Sequence, residues 1–155
     1  MKIKKIETEI KVYDYDELNA ADRELVDAAK QMTGSSYAPY SKFHVGAAIR
    51  LADGTIVTGA NQENAAYPSG TCAERTACFY ASARYPGVAM KKIAVAARTE
   101  GEFQKSPISP CGACRQALAE YEHLYGPMEV LLYGTDAVYV LPSVASLLPL
   151  TFTEF

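Results

Sequence analysis

Three cysteines in two short motifs constrain this chain more than any other feature. Cys72 lies in Thr71-Cys72-Ala73-Glu74-Arg75, and Cys111 and Cys114 lie in Ser109-Pro110-Cys111-Gly112-Ala113-Cys114-Arg115-Gln116. The second motif has C-x-x-C spacing, and Cys72 precedes it by 39 residues. Both motifs fall at predicted helix N-termini. There the unpaired backbone N–H groups and the positive dipole end favour the thiolate, the form that binds zinc. A redox dithiol leaves Cys72 and Glu74 without a purpose. A structural zinc needs a fourth soft ligand, and the remaining cysteine, Cys78, follows Cys72 by six residues on the same helix. Six residues turn a helix by about 600° and advance it by about 9 Å, so Cys78 reads as a small core residue. His44 is out of phase with Phe43 and Val45 on a strand, and His123 falls at a helix end, where a cation suits the dipole. Three thiolates and an open fourth position are left, the arrangement of a catalytic zinc that holds a water.

The neighbours of the thiols extend this reading. Glu74 stands two residues from Cys72, close enough to share a water with the metal. Three thiolates leave a zinc site with net negative charge, which disfavours ionising that water. The Arg75 guanidinium would return positive charge to the sulfurs, and Gln116 would orient that guanidinium.

Length and composition bound the context. With 155 residues, 49% hydrophobic and 21% charged, the chain reads as one globular domain over 16–155. Residues 1–15 read as an N-terminal extension, a strand or an arm. A formal charge of −3 gives no long-range attraction for phosphate backbones, so nucleic acid is excluded as a partner. No apolar run approaches the roughly 20 residues that span a bilayer, so no membrane is expected. The charged start, without a secretory apolar segment, points to the cytoplasm, where cysteines serve as ligands or core residues more than as disulfides.

The pattern along the chain predicts an α/β fold. Ile6, Thr8, Ile10 and Val12 alternate with charged residues, as in a half-buried strand. Helix spacing predicts a first helix over 19–33, capped by Asn19 and stopped by Gly34. Asp53-Gly54 between two apolar runs predicts a hairpin of 43–51 with 55–60. Helices follow near 72–84 and 111–122, the latter set up by Ser109 as cap and Pro110 at its first position. Strands are predicted at 92–97, 128–133 and 138–141, a polar loop at 98–109 and a short helix at 143–149. This alternation implies a three-layer α/β/α sandwich around one mixed sheet of about five strands.

These residues and motifs resemble the small, homotetrameric-type cytidine deaminases of pyrimidine salvage. The resemblance runs through 37–48, 61–77, 109–116 and 147–152, in the family's order and approximate spacing. It implies a hydrolase that converts cytidine, and deoxycytidine, to the uracil nucleoside and ammonia. Cys72, Cys111 and Cys114 would bind one Zn2+ per chain, zinc-bound hydroxide would attack C4 of the base, and Glu74 would shuttle the protons. Phe43 and Val45 would line the base pocket, Asn61 and Glu63 would hold a ribose hydroxyl, and Ala73 would offer its backbone to the base. Ala65, Tyr67 and Phe152 would reach a neighbouring subunit's ligand, making a homotetramer with shared sites. Two alternatives stand beside this: a deaminase of another aminopyrimidine nucleoside, such as a blasticidin-type antibiotic, and a non-catalytic zinc-stabilised module. Gln62 departs from the aliphatic residue common among relatives.

Overall fold

A computed structural model describes residues 1–153; positions 154 and 155, the end of the expected domain, lie outside the described residues. In chain order the elements are β1 (Lys11–Tyr13), α1 (Ala20–Met32), β2 (Phe43–Leu51), β3 (Ile56–Ala60) and α2 (Ala73–Arg84). They continue with β4 (Met90–Thr99), β5 (Glu102–Phe103), α3 (Gly112–Tyr125), β6 (Glu129–Tyr133) and β7 (Val138–Leu141). The seven strands form one mixed sheet in the order β1-β7-β6-β4-β2-β3, with β5 pairing back onto β4. Only the β4–β6 pair is parallel, joined through α3; the other pairs are antiparallel.

Alternation along the strands builds the layers, because successive side chains point to opposite faces. Ala47, Ile49, Ile93, Val95, Val130 and Leu132 meet Ala77 and Cys78 of α2 and Leu118 of α3 in one core. Ala48, Ala94, Ala96, Leu131 and Tyr133 meet Leu25, Val26 and Ala29 of α1 in the other. The buried residues of α2 are small apart from Glu74, and β3 answers them with Gly59. A Cβ there would lie 2.5 Å from the Ala77 backbone nitrogen, so helix and strand touch backbone to backbone. This fixes where α2 begins.

The α/β sandwich is as expected, with five longer strands and two short ones, β1 and β5, where about five had been anticipated. The half-buried strand expected through Ile6, Thr8, Ile10 and Val12 is absent except for Lys11–Tyr13. Ile6, Ile10 and Val12 are exposed, and only Lys11–Tyr13 pair with β7, opposite Val138–Val140. Gly34 does not end α1 through a left-handed turn. Its backbone is ordinary, and α1 tightens into a single 3-10 turn at Thr33–Ser35. The short helix expected over 143–149 is a 3-10 turn, Val144–Leu147. Ser109 and Pro110 do not open α3 either; Cys111 is its N-cap.

Candidate active site and metal centre

Helices α2 and α3 pack against each other on the same side of the sheet, and each begins with a cysteine as N-cap: Cys72 and Cys111. Neither thiol caps its own helix, so the first-turn N–H groups keep their positive end facing the sulfurs. Cys114 lies in the first turn of α3, fully buried. The Cys72, Cys111 and Cys114 sulfurs all lie within 4.8 Å of one another. Cys72 Sγ is 3.8 Å from Cys111 Sγ, which is 3.5 Å from Cys114 Sγ. A tetrahedral ion with Zn–S bonds of about 2.3 Å holds its sulfurs about 3.8 Å apart, so the three thiols fit zinc. Among the described residues the group has these three donors, which leaves a fourth position for water or substrate. Cys78 is fully buried in the core, its thiol pushed up to about 12 by burial.

Charge in the cluster is uneven. The hydrogen bond from Cys114, with Arg75 and Cys111 behind it, draws the Cys72 thiol down to about 5. Cys114 is pushed up, chiefly by that same bond and by burial. One sulfur ionises at the expense of its neighbours; a dication between them would relieve that competition. Arg75 donates from Nη2 to Cys72 Sγ at 3.8 Å, while its buried Nε has no hydrogen-bond partner. Gln116 hydrogen-bonds the backbone of Phe152. Its Nε2 donates to the Phe152 carbonyl at 2.7 Å and its Oε1 accepts from the Phe152 N–H at 3.2 Å, so the amide grips the C-terminal segment. Glu74 is 4% exposed, and burial holds its carboxyl above the usual carboxylate range.

The remaining expected residues sit around this centre. Phe43 and Val45 share the β2 face that continues through Ala47 and Ile49 toward α2 and α3. Asn61, just past β3, stitches the start of β2. Its Oδ1 accepts from Val45 N at 2.8 Å and Ser36 Oγ at 2.6 Å, and its Nδ2 donates to the Phe43 carbonyl at 2.9 Å. One amide hydrogen is left over. Glu63 accepts from the Tyr40 N–H at 2.8 Å and the Ser41 N–H at 3.3 Å; the Ser41 side chain foremost, then these backbone bonds, hold its carboxyl below its ordinary value. A cleft of about 730 Å³ is lined by Tyr40, Ser41, Glu63, Asn64, Ala65, Tyr67 and Gly70, on the Glu63 side of the site and apart from the thiols. Ala73 is fully buried, whereas Tyr67 and Phe152 are 95% and 69% exposed. Two contributors escape a reading of the sequence. The Gln62 backbone pairs with Thr71 in both directions at 2.8 Å, tying the Asn61–Glu63 loop to the residue before Cys72. Arg115, inside the second motif, bonds the loop ahead of Cys111; its place beside Cys114 was the only available signal.

Comparison with known proteins agrees with this geometry. Residues 19–125 match the family model described as the cytidine and deoxycytidylate deaminase zinc-binding region. A cytidine deaminase of Sporosarcina psychrophila is 46% identical over 131 residues, 84% of this chain and 90% of that one. One of Halalkalibacterium halodurans is 49% identical over 98 residues, 62% of this chain and 68% of that one. The crystal structure of a cytidine deaminase from Burkholderia pseudomallei superposes with a TM-score of 0.71 at 44% identity, covering 83% of this chain and 97% of that one. With its three thiols set for one zinc ion at the starts of α2 and α3, the chain belongs to the zinc-dependent cytidine deaminase family.

Proposed function

We propose that this chain hydrolyses cytidine, and deoxycytidine, to the uracil nucleoside and ammonia. One observation carries the reading: a buried carboxylic acid, Glu74, stands two residues from one of three thiols gathered within the reach of a single metal ion. Zinc held by Cys72, Cys111 and Cys114 would supply a Lewis acid able to activate water. Water adds at C4 of the cytosine ring and the amino group leaves as ammonia. Glu74 moves the protons: it takes one from the water, delivers it to N3, and later helps protonate the departing amine. A carboxyl raised by burial exchanges protons more readily near neutral pH.

The other residues bind and orient. Arg75 stabilises the Cys72 thiolate through its 3.8 Å contact. Phe43 and Val45 flank the base, and the backbone of Ala73 meets its edge. The spare amide hydrogen of Asn61 and the open lone pairs of Glu63 take one ribose hydroxyl, as donor and acceptor. Ala65, Tyr67 and Phe152 complete a neighbour's site in a homotetramer. The exposed Tyr67, Phe79, Tyr80 and Phe152 supply apolar surface for that assembly. Residues 16–155 form the catalytic domain, 1–15 are an extension, and the enzyme works in the cytoplasm. Among the described residues no helix is long and apolar enough to cross a membrane.

The test is direct. Zinc-replete protein mixed with cytidine should shift the ultraviolet absorbance toward uridine, with one zinc per chain by metal analysis. Mixing Glu74→Ala with Phe152→Ala chains under subunit exchange should restore low-KM sites that neither variant forms alone. Absence of turnover in zinc-replete protein overturns the activity. A verified hybrid population without recovery overturns the shared site.

A further inference from the structure

We infer that Arg115 is a positioning residue that locks the loop bearing Cys111 to the C-terminal segment bearing Phe152, coupling metal retention to nucleoside affinity; this rests on the deaminase reading above. The guanidinium uses three nitrogens in three directions. Nε donates to the Pro110 carbonyl at 2.7 Å, Nη2 to Ser109 Oγ at 2.9 Å, and Nη1 to the Leu147 carbonyl at 2.8 Å. The first two contacts hold the residues immediately before Cys111, and the first ends on buried Pro110, whose carbonyl is one peptide bond from that ligand. The third holds the turn from which the C-terminal segment departs. Five residues further on, the adjacent Gln116 grips both backbone groups of Phe152. Past Leu147 the described chain forms no further helix or strand, so these side chains, more than secondary structure, set where Phe152 stands. A planar fork of fixed N–H directions suits three carbonyl and hydroxyl acceptors around one point; a lysine ammonium at the end of a flexible stem does not reproduce it.

Two readouts follow, because the guanidinium has one branch toward the metal and one toward the nucleoside. Arg115→Gln should speed zinc transfer to a colorimetric chelator about tenfold and raise KM for cytidine about tenfold, while kcat of the zinc-saturated enzyme stays within about threefold. Arg115→Lys, which keeps the charge, should fall short of wild type in both. In a Phe152→Ala background the KM effect of Arg115→Gln should largely vanish while fast zinc loss persists, since coupled residues are non-additive. Single-branch variants carry the same test if Arg115→Gln fails to fold. Ser109→Ala should speed zinc loss without moving KM, and Gln116→Ala should raise KM without speeding zinc loss. Independent, multiplying effects of Arg115→Gln and Phe152→Ala on KM overturn the inference, as does an Arg115 series that lowers only the melting temperature. With wild-type protein fully active, those results leave the deaminase reading intact. Inactive zinc-loaded wild type removes that reading instead, and the chelator assay still judges the loop contact.

Discussion

The side of the sheet covered by α1 and the side covered by α2 and α3 treat their helix starts differently. Asn19 caps α1, accepting from the Asp22 N–H at 2.9 Å, and its Nδ2 donates to the Asp22 carboxylate at 2.7 Å. The other Asp22 oxygen pairs with Lys92 at 2.7 Å, and Lys92 with Glu129 at 2.7 Å. Asp22, Lys92 and Glu129 thus satisfy one another, although Arg50 Nε on this side is buried without a partner. On the opposite side Cys72 and Cys111 leave their helices uncapped and Glu74 is buried. A good N-cap contributes about 0.5–2 kcal/mol, so each cysteine start forgoes stability of that order. A thiol is a poor cap and a good soft ligand, and these positions favour the ligand. One side of the sheet is built for stability, the other for chemistry.

The contrast breaks most severely if Glu74 proves dispensable. Glu74→Gln should lower kcat by about 10²–10⁴-fold, the usual worth of a group that moves protons, with zinc content unchanged by metal analysis. Near-wild-type turnover would mean that this buried acid serves only the fold. Cys111→Asn sharpens the same point from the other direction. It should lose zinc and activity, yet the metal-free variant should be more stable to denaturant than metal-free wild type by about 0.5–2 kcal/mol, since asparagine caps where cysteine does not. A less stable metal-free variant would show that the cysteine start sacrifices nothing.

On the α1 side, removing a cap should cost stability alone. Asn19→Ala should lower unfolding free energy by about 1 kcal/mol, with kcat and zinc content unchanged; a fall in kcat would join the two sides functionally. The smallest effect concerns Tyr15, whose hydroxyl donates to Asp27 at 2.7 Å and is raised from 10.0 to about 12, by burial first and then by that bond. A folded value above the unfolded one means that its contribution is intact below pH 10 and disappears as pH rises toward 12. Wild type should therefore lose slightly more stability than Tyr15→Phe across that alkaline window, by denaturant titration at each pH. Identical slopes would remove the assignment.

What was legible in the sequence followed from short-range rules. Asn19 caps because it precedes an amphipathic run, and Phe43 through Leu51 alternate because one strand faces two cores. The thiols were legible because helix starts and C-x-x-C spacing together bring them to one point. The failures lie in contacts that local pattern does not show, some of them distant along the chain. Ile6 and Ile10 satisfy a strand pattern, but pairing needs a distant partner, and β7 pairs only with Lys11–Tyr13. Ser109 and Pro110 satisfy the local rules for opening a helix, but Arg115 draws both into bonds that hold them outside it. The bonds of Gln116 to Phe152, 36 residues away, were likewise not legible in the sequence.

The parallel pairing of β4 with β6 has a consequence in time. Such a pair requires a crossover, and here α3, carrying Cys111 and Cys114, is that crossover. On a ribosome adding about 5–20 residues per second, Cys72 is made roughly 2–8 seconds before Cys114. For that interval the nascent chain holds Cys72 without a complete set of companion ligands, a condition in which an exposed thiolate is open to oxidation. A three-thiol zinc site can therefore close only once α3 has been made, which is a late step of biosynthesis.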